Sequence, residues 1–176
     1  TSDIMRVVVQ TDQNVEHAGL PGMWAELSID GLDRPRSYSY AAAPKNEKPN
    51  EFTFFIRKVP GGKFTEWLFG NNRDVTQKVT VNGPFGSFYL REKQSPIVCI
   101  AGGSGLAPIK ALLEGGVLDQ VERDVVFLFG ARTQEDLYCV EDIKKLRDKW
   151  NKDYKFDFIP VLNMEPEDSN WQGGRG

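Results

Sequence analysis

The chain has little of what most side-chain catalysis or extracellular stabilisation requires. Among its 176 residues there are two cysteines and one histidine. Cys99 and Cys139 lie far apart and form no C-x-x-C pair, and His17 stands alone. Most zinc sites and a Cys/His nucleophilic dyad are thereby excluded. The longest apolar stretch, residues 96–101, falls far short of the ~20 residues that a membrane span needs, and no charged-then-apolar signal segment opens the chain. Neither sign of charge is in excess: 22 Lys and Arg against 25 Asp and Glu leave −3, spread along the chain. That excludes the basic field nucleic acid needs and a polybasic membrane patch. These absences describe a reduced, cytoplasmic protein with no nucleic-acid or membrane partner and no metal of its own. What is present is ordinary globular composition, 40% apolar. A chain of this size buries about 70% of its unfolded surface and needs no disulfide or structural metal. Thr1 is not an initiator Met and Gly173-Gly174-Arg175-Gly176 reads as a turn leading onward, so a piece of a longer chain is expected.

Two patterns divide the sequence. Residues 1–94 read as short strands (4–11, 24–29, 37–40, 51–57 and 78–82) separated by Gly, Pro, Asn and Asp, the signature of an antiparallel barrel or sandwich. Phe64, Trp67 and Leu68 add one short helix with an apolar stripe after Pro60-Gly61-Gly62. Residues 95–176 alternate instead. The run 97–101 suggests a strand covered on both faces, 107–113 a helix, 124–129 a strand, 135–150 a charged amphipathic helix and 154–162 a third strand. That order implies a parallel sheet with right-handed crossovers.

Four segments carry candidate chemistry. In Arg34-Pro35-Arg36-Ser37-Tyr38-Ser39-Tyr40, strand alternation sets Arg36 beside Tyr38, which suits an anion attached to a flat ring, or simply an exposed strand face. In Val59-Pro60-Gly61-Gly62-Lys63-Phe64-Thr65, a strand meets two glycines and a helix start. Free N–H groups and the Thr65 hydroxyl there suit a phosphate, or the glycines only turn the chain into a core helix. Ala101-Gly102-Gly103-Ser104-Gly105-Leu106-Ala107-Pro108 closes a strand and opens a helix, where a dinucleotide pyrophosphate rests in an open α/β sheet. It is not G-x-G-x-x-G, and a merely tight turn is the alternative. Arg132 and Thr133 end the next strand on the same side, within reach of a ribose or its phosphate, or in a solvated loop.

Taken in this order the segments resemble the ferredoxin–NADP reductase superfamily, and more closely the oxygenase-coupled NAD(P)H reductases of benzoate-type dioxygenases and phenol, methane and alkene monooxygenases. Arg36-Ser37-Tyr38-Ser39 resembles the R-x-Y-S flavin motif, Val59-Pro60-Gly61-Gly62 with Thr65 the pyrophosphate helix, and Gly83-Pro84-Phe85-Gly86-Ser87-Phe88 the barrel closure. Gly102-Gly103-Ser104-Gly105-Leu106-Ala107-Pro108 resembles the G-G-[TS]-G-x-A-P turn, and Trp171-x-Gly173 follows near the end. The resemblance implies two domains: an antiparallel Greek-key β-barrel binding FAD over 1–94, and an α/β parallel-sheet NAD(P)-binding domain, incomplete at its C-terminus, over 95–176. It implies that Arg36 pairs with the flavin pyrophosphate and Tyr38 packs along the isoalloxazine. Ser39 would bond near flavin N5, with the strand bent there. The same resemblance places the backbone of Ile56, Arg57 and Lys58 at the flavin's polar edge, and Gly61, Gly62, Lys63, Phe64 and Thr65 around its phosphates. Gly103, Ser104 and Gly105 would hold the nicotinamide dinucleotide, with Arg132 and Thr133 toward its adenosine end. NADH would deliver hydride to FAD and single electrons would leave for an iron–sulfur centre, chemistry that belongs to the cofactors. Ser39 and Tyr38 are the side chains expected nearest it.

The departures from that pattern are also specific. Relatives of this type continue to a C-G-x-P turn and begin with one more barrel strand, so an exposed barrel edge is expected. Cys99 is expected in the core and Cys139 half-buried on the second helix. Two cysteines cannot ligate a 2Fe-2S cluster, which takes four, so a ferredoxin domain or oxygenase component accepting the electrons lies outside these residues. A 2′-phosphate on Arg132 would make NADPH possible, although NADH fits the oxygenase reductases. Other readings are a free-flavin reductase, a dihydroorotate dehydrogenase electron-transfer subunit, or a flavin-binding module without hydride transfer.

Overall fold

The computed structural model describes residues 1–12, 19–70 and 78–176; His17 lies outside them. The first half contains β1 (Ile4–Gln10), β2 (Trp24–Ser28), β3 (Arg36–Ser39), β4 (Glu51–Arg57), α1 (Lys63–Phe69) and β5 (Thr80–Phe85). They form two antiparallel sheets, β1–β4 and β3–β2–β5, around a core that includes Ala25, Leu27, Phe54, Ile56 and Phe64. Among the described residues no strand pairs with the outer edge of β1, and Val8 on that strand is exposed.

The second half contains β6 (Ile97–Gly102), α2 (Leu106–Leu118), β7 (Val125–Ala131), α3 (Val140–Lys149), β8 (Phe156–Leu162) and β9 (Gly174–Arg175). The parallel sheet runs β6-β7-β8-β9. The two-residue β9, which local sequence does not signal, pairs with Val161 and Leu162. The Trp171 indole donates to the Gly174 carbonyl at 3.0 Å, and Gly173 leaves room for that ring, since a Cβ there would stand 2.2 Å from it.

Two expectations are corrected. β6 is covered on one face only: Ile97, Cys99 and Ala101 are buried, whereas Val98 and Ile100 are 65% and 74% exposed. The strand order advances in one direction, so both right-handed crossovers place α2 and α3 on the same face. The second helix begins at Val140 rather than Glu135, because Cys139 adopts φ +55° at its N-terminal cap. A left-handed residue there ends the preceding turn and cannot continue a helix.

The halves share packing. β4 is buried on both sides, and strand alternation sends Phe52, Phe54 and Ile56 into the first core and Phe55 into the second. Adjacent glycines on α2 face opposite neighbours: a Cβ on Gly115 would stand 2.7 Å from Pro21, and one on Gly116 2.5 Å from the Trp150 ring.

Candidate functional site

The candidate site begins where β3 and β4 part. They meet at the bridge Tyr40↔Phe54 and through the Ala41 N–H, which donates to the Thr53 carbonyl at 2.8 Å. Each is otherwise held on its far edge, β3 by β2 and β4 by β1. Among the described residues no ladder continues from that bridge, so Tyr38 and Ser39 of β3 stand across from Ile56 and Arg57 of β4 over an unpaired gap, the slot of the candidate site. The expected bend at Ser39 is displaced: the β2–β3 ladder is regular through Trp24↔Ser39, and the chain crosses between sheets at Tyr40, one residue later.

On the β3 wall Arg36 and Tyr38 are half-buried and Ser37 is exposed, as alternation requires. The Tyr38 ring lies 5.8 Å from Phe64 of α1, bringing the first two sequence segments together. Burial pushes the Tyr38 hydroxyl above its usual pKa, partly opposed by Arg36. The Arg36 guanidinium is held by Asp33 at 3.0 Å and the Arg34 carbonyl at 2.5 Å. The hydrogen bond from Arg36, with Lys63 contributing, holds the Asp33 carboxyl below its ordinary range. On the β4 wall Ile56 is fully buried, with its side chain in the first core. The Lys58 N–H donates to the Asp3 carbonyl at 2.7 Å.

At the helix entry each small residue has its own reason. Gly61 turns the chain at φ +73°, and a Cβ on Gly62 would stand 2.8 Å from Thr65 Oγ1 and 3.0 Å from the Val59 carbonyl. Thr65 is buried, and its hydroxyl accepts from the Val59 N–H and donates to the Val59 carbonyl, both at 3.0 Å. In this structure the hydroxyl expected beside a phosphate closes the turn. What remains for an anion is the backbone start of α1 beside Lys63, with the Phe64 ring turned into the core.

The third and fourth segments converge on a cleft of 380 Å³ at the carboxyl ends of β6 and β7. Gly102 and Gly130 are register partners there, so the floor is backbone. Gly103 takes φ +54°, and a Cβ on it would lie 3.3 Å from Arg57 Nη1. Gly105 opens to free space and Ser104 is half-buried. Arg57 therefore reaches from the β4 wall to the nucleotide turn, joining slot and cleft. Asp3 holds Arg57 at 2.8 Å and lies 4.0 Å from Arg132. Arg132 is gripped at both nitrogens by Asp136, at 2.9 Å each, and Thr133 caps the short turn that carries Asp136. The hydrogen bond from Thr1, and then Arg57, keeps the Asp3 carboxyl below its ordinary range, while Arg132 does the same for Asp136.

Sequence reasoning missed Asp3, Asp136 and Tyr138. Tyr138 donates its hydroxyl to the Gly103 carbonyl at 2.8 Å and packs edge-on against Phe55. The spacing of Asp136 four residues after Arg132 is the one local signal among the three. Cys99 is buried in β6 and Cys139 half-buried, and burial pushes both thiols up to about 11, so neither offers a reactive thiolate. Among the described residues no group of three His, Cys, Asp or Glu side chains is placed to hold a metal, and no helix is long and apolar enough to cross a membrane. The donor set fits the implied cofactors. A flat ring has the unpaired gap beside the half-buried Tyr38, and a pyrophosphate has a side-chain-poor turn flanked by two guanidinium groups, each also paired with a carboxylate, Asp3 or Asp136.

Comparison with known proteins follows the same division. Residues 1–89 match the oxidoreductase FAD-binding domain family and residues 99–176 the oxidoreductase NAD-binding domain family. The chain is 41% identical to the xylene/toluene monooxygenase electron transfer component of Pseudomonas putida over 174 residues, 99% of this chain and 48% of that protein. It is 37% identical to the naphthalene 1,2-dioxygenase system ferredoxin–NAD(P)(+) reductase component of the same species, over 83% of this chain and 43% of that one. The ferredoxin reductase in carbazole 1,9a-dioxygenase superposes with a TM-score of 0.77 at 30% identity, covering 99% of this chain and 50% of the other. The chain thus spans about half the length of the relatives it matches. With a family match across each half, the chain belongs to the FAD- and NAD-binding oxidoreductases of the ferredoxin-reductase type.

Proposed function

We propose that this chain is the flavin- and nicotinamide-binding part of an oxygenase reductase, taking hydride from NADH onto FAD and passing single electrons to a ferredoxin domain or oxygenase component. The observation that carries the proposal is the convergence of slot and cleft at Arg57, which lines the flavin wall and lies over Gly103. When bound, the two coenzymes supply the hydride transfer and the release of single electrons. The residues' share is positional. Residues 1–94 hold the flavin: Tyr38 supports one face of the ring, Ser39 stands at the slot where a hydrogen bond to its polar edge forms, and Arg36 and Lys63 supply charge toward its phosphates. Residues 95–176 hold the dinucleotide, with Gly103, Ser104 and Gly105 under its pyrophosphate and Arg132 and Thr133 toward the adenosine. Stacking the two rings at reacting distance converts a bimolecular step into an intramolecular one. NADH is favoured over NADPH because Asp136 already occupies the Arg132 fork, and a 2′-phosphate would meet that carboxylate. Location in the cytoplasm accords with the two free thiols.

Protein incubated with FAD and freed of unbound flavin by gel filtration should stay yellow and lose the flavin absorption on anaerobic addition of NADH. Failure to bind FAD would refute the reading, and FAD binding without reduction by NADH or NADPH would favour a binding module. Arg36→Ala should weaken FAD binding by about 1.5–3 kcal/mol, the range for a charge-assisted contact. Equal affinity in a fluorescence titration would remove Arg36 from the site.

A further inference from the structure

A buried ion pair joins the two halves beside the candidate site and is used by none of the steps above. Lys110 and Glu114 stand four residues apart on α2, their side chains only 13% and 11% exposed, and form a salt bridge. Both also hold main chain of the first half. Glu114 Oε2 accepts from the Ala43 N–H at 2.7 Å, and Lys110 Nζ donates to the Ala41 carbonyl at 3.1 Å. Ala41 follows Ser39 by two residues, and Lys110 follows Gly105 by five. At 1.5 Å per residue Lys110 sits about 7.5 Å along α2 from Gly105, and Glu114 about 13.5 Å.

A buried ion pair is weak evidence for stability, since apolar residues of similar volume often serve as well. Its distinguishing property is direction. The other contacts of α2 with the first half include Gly115 against Pro21, a close apolar contact with no directional bond. Hydrogen bonds to the Ala41 carbonyl and the Ala43 N–H, with one residue between them, fix one register. Ala41 is also tied to β4 through the Thr53 carbonyl, so the gripped segment is rigid on the flavin side.

We propose that Lys110 and Glu114 are positioning residues: a clamp between α2 and the 41–43 segment that sets the distance between the nicotinamide turn and the flavin slot. The clamp rests on the functional reading for its consequence but not for its existence. Neither side chain lines the slot or the cleft, so they act through Ala41 and Ala43.

The test uses the whole chain with FAD. In Glu114→Ala and Lys110→Met, the dissociation constants of FAD and NADH should stay within about 3-fold of the parent. The single-turnover rate of flavin reduction should fall about 10- to 100-fold, the scale of a misplacement near 1 Å. Glu114→Gln, whose amide oxygen still accepts from Ala43, should recover most of the rate. Without any coenzyme, amide exchange across residues 41–46 should accelerate at least about 10-fold in Glu114→Ala, with the β2–β3 ladder unchanged. Should Glu114→Ala fail to fold, Lys110→Met and Glu114→Gln carry both measurements. Exchange unchanged at Ala43 overturns the clamp, whether or not the parent reduces flavin. Faster exchange with an unaltered reduction rate overturns the positioning role. A parent that binds FAD but is not reduced refutes the functional reading instead, and exchange still decides the clamp.

Discussion

Glu47 shows how a single residue couples burial to pH. It follows the short turn after Ala43, and its Oε1 accepts from the Thr53 N–H at 2.5 Å. Burial, with the nearby Glu114 charge adding, raises its carboxyl from 4.5 to about 6, while the Thr53 hydrogen bonds and Lys110 oppose the shift. Between those values the folded state keeps a proton that the unfolded chain has released. The contribution to stability is therefore fully present below pH 4.5 and lost as pH rises through about 6. Glu47→Gln keeps an acceptor for Thr53 without the charge. Urea unfolding should show the variant more stable than the parent at pH 7, by about 1 kcal/mol after allowing for partial solvent exposure, and no gain at acid pH. A gain of equal size at both ends would mean that the carboxylate charge is not the cause.

At the scale of elements, the α1 entry makes the sharpest prediction. Thr65 satisfies both backbone groups of Val59. Thr65→Val keeps the shape and removes that partner from the Val59 N–H, while the Val59 carbonyl still accepts from Gly62 at 2.9 Å, which should cost about 0.5–1.5 kcal/mol in urea unfolding. Thr65→Ser should be nearly silent, and equal losses in both variants would point to packing instead. The same element shows what local sequence reveals. The Pro60-Gly61-Gly62 punctuation and the Phe64, Trp67, Leu68 spacing mark α1, and β4 is legible because a turn precedes Glu51 and Val59-Pro60 follows Arg57. Both signals sit within a few residues. The bare face of β6 is not local: Val98 and Ile100 look like core until the crossover direction places both helices on the other side. The start of α3 was misplaced because Glu135 and Leu137 extend a helical pattern that the backbone at Cys139 breaks. In the candidate site the glycine turns were legible, since their backbone demands are written in residue type. Asp3 and Tyr138 were not, because each acts across a tertiary contact.

Across the whole molecule, the two halves are less separate than their family matches suggest. Phe55 and Ala41 from the first half are part of the core built on the parallel sheet, and Ile4 packs against it. The Phe55 ring meets Tyr138, whose hydroxyl holds Gly103. Because β4 gives alternate side chains to two cores, neither core can open without exposing a face of the same strand. Melting should then be one event. Calorimetry should record a single transition with equal calorimetric and van't Hoff enthalpies, and two resolved transitions would show that β4 does not couple the halves. A strand shared between two cores is also a route by which damage spreads: a cavity made at Phe127, in the core of the parallel sheet, would lower the melting temperature of the first half as much as that of its own.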